Sequence, residues 1–243
     1  MPRFLAPDLD PGAAFVRLPA DEGRHLTRVL RLGPGELVHV FDGRGGEFLA
    51  RVEATSPAVS LAIVEPASAA AEPPVRFTLV QAVLKGASMD DVVRDATMMG
   101  IAAVMPVLTA HVAVKLAVAS RQDNVERWRR VAVASAKQSR RAVVPDIDQP
   151  IPLAAALKHL AGQQTLMFVE PEAGRAARPL RDVLSGTRPA GAALLIGPEG
   201  GWAPEELNAA VADGATLVTL GTLTLRAESV ALAALAACRV AWE

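Results

Sequence analysis

Apolar residues follow two different patterns along this chain. Over roughly the first seventy positions they alternate with polar ones. Leu37-Val38-His39-Val40-Phe41 and Glu47-Phe48-Leu49-Ala50-Arg51-Val52 flank Asp42-Gly43-Arg44-Gly45-Gly46, and two β-prone runs around an Asp-Gly turn predict a hairpin. Val59 to Val64 adds a further alternating strand, and His25 to Leu32 predicts a short helix entering a turn at Gly33-Pro34-Gly35. Together these predict a small β-barrel or sandwich. Beyond Glu65-Pro66 to Pro73-Pro74, a linker by composition, the runs become continuously apolar. Phe77–Leu84, Ala103–Leu108, Thr165–Val169, Ala192–Ile196 and Leu217–Leu220 read as strands buried on both faces. Between them fall helices over Met89–Met99, Arg121–Ser139 and Ile151–Leu160, one near Leu180, one from Pro204, and one from Ser229 to Trp242. Strand-helix alternation predicts an α/β domain with a mostly parallel sheet. The expected division is 1–72 and 73–243.

The ends of three of these strands carry the candidate chemistry. Ile196 runs into Gly197-Pro198-Glu199-Gly200-Gly201-Trp202, and Ala203-Pro204-Glu205-Glu206 then opens a helix, with proline and acids in the first turn where both are favoured. Leu220-Gly221 leads through Thr222 to Leu225-Arg226-Ala227-Glu228, and Val169 leads into Glu170-Pro171-Glu172-Ala173-Gly174. Ligands of open α/β sheets bind at the carboxyl ends of the strands. For the glycines alone, ordinary strand-to-helix connections explain the pattern as well. Glu199, Arg226 and Glu228 favour a site, because all three are expected in the loops. The terminal helix is apolar nearly all round, which implies core on one face and a dimer partner on another.

A formal net charge of −1 excludes a broadly polyanion-binding chain, so nucleic-acid contact requires a local patch. Arg24, His25, Arg28 and Arg31, with Arg44 at the hairpin tip, form one candidate; a solvated face is the other reading. The single cysteine, Cys238, fits a reducing compartment. With no signal-peptide core and no apolar run of membrane-spanning length, the expectation is a cytoplasmic protein without membrane contact. The chain has no Walker sequence, no Gly-x-Gly-x-x-Gly, no metal-ligand spacing and no Gly-x-Ser-x-Gly.

The Gly197-Pro198-Glu199-Gly200-Gly201 loop, Leu220-Gly221, and Leu225-Arg226-x-Glu228 before an alanine-leucine helix resemble the SPOUT methyltransferases. The resemblance is closer still to the RsmE type, which methylates N3 of a uridine in 16S ribosomal RNA. It extends over essentially the full chain, through His25, Arg28-Val29-Leu30-Arg31, Phe41-Asp42-Gly43, Gln81, Lys85-Gly86, Trp128, Gln138-Ser139, Arg141 and Val144-Pro145. The chain departs from that pattern at Ser88, Met98, Ala110-His111, Lys137 and Leu223. The resemblance implies a PUA-like RNA-binding β-barrel followed by a SPOUT domain with a trefoil knot over about 165–240. It also implies a homodimer, S-adenosylmethionine as cofactor, no metal, and 16S rRNA of the small ribosomal subunit as partner. Cofactor contacts would come from Val169, Glu170, Ile196, Gly197, Pro198, Gly200, Gly201, Leu220, Gly221, Leu225 and Ala227. Arg226, Glu199 and Glu228 would serve catalysis. Arg24, His25, Arg28, Arg31, Lys85 and Arg141 would face RNA. Another RNA target, or a non-catalytic RNA-binding or ribosome-assembly role, stays open on the residues alone.

Overall fold

The computed structural model describes residues 1–112, 122–171 and 177–242. They divide into two compact units, Met1–Glu72 with Val133–Val144, and Pro73–Ala132 with the chain from Pro145 onward.

In the first unit, strands β1 (Arg3–Leu5), β2 (Phe15–Arg17), β3 (Leu37–Phe41), β4 (Glu47–Ala54) and β5 (Ser60–Pro66) form one sheet in the order β1-β3-β4-β5-β2. The β3-β4 hairpin forms as the Asp-Gly turn predicts, with His39 opposite Leu49. Asp42 builds the turn itself: its carboxylate accepts the Arg44 and Gly46 amides at 2.7 and 2.9 Å. Helix α1 (Ala20–Arg24) continues into a π-helical turn, His25–Val29, which buries Leu26 against Phe4, Val38, Val40 and Leu61. The expected helix therefore starts earlier and ends sooner, and Arg31 follows it at φ +57°.

This small core is supplemented by buried charge. Arg3 forks onto Glu47 at 2.9 and 2.8 Å, and its remaining hydrogens go to the carbonyls of Ala136, Lys137 and Arg141. Lys137 pairs with Glu22, and Arg141 pairs with Glu72. Val133–Val144 thus belongs to this unit through side chains far apart in sequence.

The second unit carries an all-parallel sheet. Its strands are β6 (Arg76–Ala82), β7 (Ala103–Leu108), β8 (Asp146–Ile147), β9 (Ile151–Pro152), β10 (Gln164–Phe168), β11 (Arg178–Pro179), β12 (Gly191–Ile196) and β13 (Thr216–Thr219). Their order is β11-β13-β10-β12-β6-β7-β8, with β9 also on β7. Helices α2 (Ser88–Met98), α3 (Gln122–Gln138), α4 (Leu153–His159), α5 (Leu180–Leu184), α6 (Pro204–Ala212) and α7 (Ala227–Trp242) connect the strands. Ile151 and Pro152 extend the sheet rather than opening the expected helix, since proline fixes an extended entry and the helix begins at Leu153. Arg121 and the Glu172-Ala173-Gly174 part of one predicted loop lie outside the described residues.

Successive strand residues point to opposite faces, and here both faces are covered, which explains the unbroken apolar runs. Val80, Val107, Met167, Leu195 and Leu217 pack with Leu153 and Leu157 of α4 and Leu207 of α6. On the other face, Phe77 stacks on Trp242 of α7, with ring centroids 6.0 Å apart. Arg239 of α7 donates to Met99 O beyond α2 at 2.9 Å. Cys238 is buried in this packing, and burial pushes its thiol up to about 12. It is a core group, not a nucleophile. No described helix is long and apolar enough to cross a membrane.

Candidate active site

The sheet order places β10 between β12 and β13. The carboxyl ends of these three adjacent strands open into a cavity of about 720 Å³. Phe168, Val169 and Glu170 line it after β10, Ile196 to Trp202 after β12, and Leu220 to Ala227, with gaps, after β13. Every predicted cofactor residue lines it except Gly221, whose loop does so through neighbours. Gly221 instead closes a turn with Thr219, whose hydroxyl donates to Gly221 O at 2.9 Å.

The β12 loop is shaped from within. Gly201 N–H donates to Pro198 O at 3.0 Å, closing a tight turn. Trp202 turns back beneath this loop and donates its indole N–H to Phe168 O at 2.9 Å, joining two of the three strand ends. A Cβ on Gly197 would stand 3.0 Å from that indole nitrogen, so a side chain there would press the indole out of its place. Helix α6 then starts with Pro204, and Glu206 accepts the Ala203 N–H at 2.9 Å, half of a capping box.

The three predicted catalytic residues all line the cavity. Glu199 and Arg226 are exposed on their loops, and Arg226 makes no ion pair among the described residues. Glu228 differs from expectation: α7 begins at Ala227, so its carboxylate occupies the first turn of a helix rather than the loop before it. Ser88, at the start of α2, and Leu223 also line the cavity. Leu223 is 78% exposed. Sequence reasoning missed Trp202 as a wall residue, although a tryptophan directly after a glycine run needs a partner for its N–H.

The predicted RNA-facing residues do not share one fate. Arg24, His25, Arg28 and Arg31 are exposed on the first unit. Lys85 is exposed on the second, with its backbone N–H 3.5 Å from Glu199 Oε1. Arg141 is a correction: it is 5% exposed and its guanidinium is held by Glu72, so it offers no surface fork to phosphate. Among the described residues no group of histidine, cysteine and carboxylate side chains could hold a metal ion.

Comparison with known proteins places this architecture. The RNA methyltransferase domain family matches residues 71–239, and the RNA methyltransferase PUA domain family matches residues 18–61. The class is thus an RNA methyltransferase with an appended PUA domain. Ribosomal RNA small subunit methyltransferase E of Synechocystis is 31% identical, over 92% of this chain and 72% of its own. The Mycobacterium bovis protein of that name is 32% identical, over 95% and 88%. The crystal structure of the Neisseria gonorrhoeae protein of that name, bound to S-adenosylmethionine, superposes with a TM-score of 0.88 at 31% identity, covering 100% of this chain and 98% of that one. A Legionella pneumophila methyltransferase with bound S-adenosylmethionine gives 0.88 at 26% identity, covering 98% and 97%. The chain belongs to the ribosomal RNA small subunit methyltransferase E family.

Proposed function

We propose that this protein methylates N3 of a uridine in 16S rRNA of the small ribosomal subunit, using S-adenosylmethionine, in the cytoplasm and as a homodimer. The observation that carries the reading is the cavity formed where three neighbouring parallel strands end in glycine-rich and acidic loops.

The lining fits that cofactor. Among the described residues, Glu170, Glu199 and Glu228 face the cavity against one guanidinium, that of Arg226, a balance that favours a cationic ligand. Val169, Ile196, Leu220, Leu225 and Ala227 supply an apolar wall for a nucleobase, and the glycine loop leaves main-chain groups accessible for the polar parts. When bound, S-adenosylmethionine supplies an electrophilic methyl group on a sulfonium.

The chain's own residues must then orient the uracil, take its N3 proton and hold the charge that develops. Glu199, on an open loop, is assigned as the proton acceptor. Glu228 is assigned an electrostatic role, because it sits in the first turn of α7 rather than on an open loop. Arg226 stays protonated and stabilises negative charge on a uracil carbonyl. Arg24, His25, Arg28 and Arg31 supply phosphate contacts from the PUA unit, whose assignment as the RNA-binding domain (1–72) and of 73–243 as the SPOUT domain forms part of this proposal. So does a trefoil knot over about 165–240; its support is that β10 lies between two strands later in the chain. Support for pairing comes from α7, where Leu232 and Val240 are 39% and 85% exposed.

The test is methyl transfer from labelled S-adenosylmethionine to 30S subunits lacking the uridine-N3 methyl group, with the product nucleoside identified. The expected product is 3-methyluridine. A different labelled nucleoside would redirect the enzyme to another RNA position. Cofactor binding with no labelled RNA would leave a non-catalytic RNA-binding or assembly protein.

A further inference from the structure

Beyond β7 the chain makes a turn over Thr109–Val112, closed by Val112 N–H on Thr109 O at 3.2 Å. His111 projects from this turn onto the loop after β12, with Nδ1 3.0 Å from Gly200 O and 3.2 Å from Gly201 O. Carbonyl oxygens only accept, so Nδ1 carries the hydrogen and shares it between them. Two further observations tie the same segments together. Glu206 accepts the Ala110 N–H at 2.8 Å with one carboxylate oxygen and the Ala203 N–H at 2.9 Å with the other. A Cβ on Gly200 would lie 3.0 Å from the His111 Cβ, so a side chain there would crowd the histidine.

We propose that His111 is a positioning residue that latches the Gly197–Gly201 loop from outside the cavity and so holds the cofactor-binding conformation of its peptide planes. His111 is not among the residues that line the cavity; Gly200 and Gly201, whose carbonyls it holds, are. Its action is therefore through the loop. Released from the imidazole, the loop spreads over more conformations, and apparent affinity falls with the fraction that remains competent. This deepens the cofactor reading of the cavity and rests on it.

The experiment uses the full chain and two readouts: S-adenosylmethionine affinity by calorimetry, and amide hydrogen exchange of the 197–203 loop without ligand. His111→Ala and His111→Leu remove the donor, whereas the amide of His111→Asn stands close to where Nδ1 stands. A thermal melt confirms that each variant folds. The expected result is about tenfold weaker binding for the Ala and Leu variants, the loss of one well-made hydrogen bond, together with faster loop exchange. The Asn variant restores both. If Asn behaves like Leu, the histidine is only packing and the latch is overturned. Unchanged exchange in His111→Ala overturns it as well, whatever the cofactor does. Faster exchange in His111→Ala, in a wild-type protein that binds no S-adenosylmethionine, keeps a loop latch but sinks its role toward the cofactor, and with it the reading of the cavity.

Discussion

The two units place their charges in opposite ways. In the first, Arg3, Glu47, Glu22, Lys137 and Arg141 are drawn inward and paired, beside a core of short strands. In the second, a broad sheet covered on both faces provides the stability, and Glu170, Glu199 and Arg226 stand exposed at the cavity. Small domains bury a smaller share of their surface, so the first unit uses ion pairs to recruit a distant segment. The larger apolar core of the second unit leaves these cavity charges exposed. The same residue types are buried and paired in the core of one unit and exposed at the cavity of the other, and only burial and partners tell them apart.

The largest effect should come from breaking a buried pair in the first unit. Arg3→Ala takes the guanidinium from Glu47, leaving it only the His39 imidazole at 3.1 Å, and should cost about 3–5 kcal/mol in denaturant unfolding. Arg3→Leu combined with Glu47→Leu should cost clearly less than the two single changes added together. Simple additivity would mean that the pair is not structural, and the contrast between the units would fail. Gly197→Val in the second unit drives a side chain into Trp202. Single-turnover methylation should fall about 100-fold, the effect of displacing a reactive site by about 1 Å, while the RNA affinity of the protein stays near wild type. Loss of both together would show that the loop is not a local device.

A smaller effect is expected from Trp202→Phe, which keeps the ring but loses the hydrogen bond to Phe168 O. Calorimetry should show cofactor affinity reduced by about 1 kcal/mol. Smallest in stability is Arg28→Ala, within about 0.5 kcal/mol of wild type. Its signature lies elsewhere: the slope of log binding constant against log salt for RNA should lessen by about 1. An unchanged slope would place Arg28 on a solvated face.

The parallel sheet was legible because strands buried on both faces must be written as apolar runs, and Ala103–Leu108 matches its prediction at both ends. The Asp42-Gly43 hairpin was legible for a local reason, the turn chemistry of adjacent residues. Strands β1 and β2 were not, since three residues carry too little periodicity to register. Most of the cavity lining could be read from where glycine loops follow strands. What escaped were contacts between residues distant in sequence. Nothing beside Arg141 announces Glu72, nothing beside Trp202 announces Phe168 O, and His111 looks like an ordinary loop residue until the sheet brings Gly200 to it. Glu228 was displaced by a shift of two residues in a helix start, enough to move a carboxylate from a free loop to a helix N-terminus.

Helix α3 runs through the point where the units divide, with its residues to Ala132 in one and those from Val133 in the other. For the history of such a protein this has a plain meaning. A recombination event that exchanged only residues 1–72 would carry off Arg3, Glu22 and Glu72 but leave behind the carbonyls, the lysine and the arginine they engage. The inherited module is therefore discontinuous: the β-unit and the distant dozen residues that complete it can be replaced only as a set.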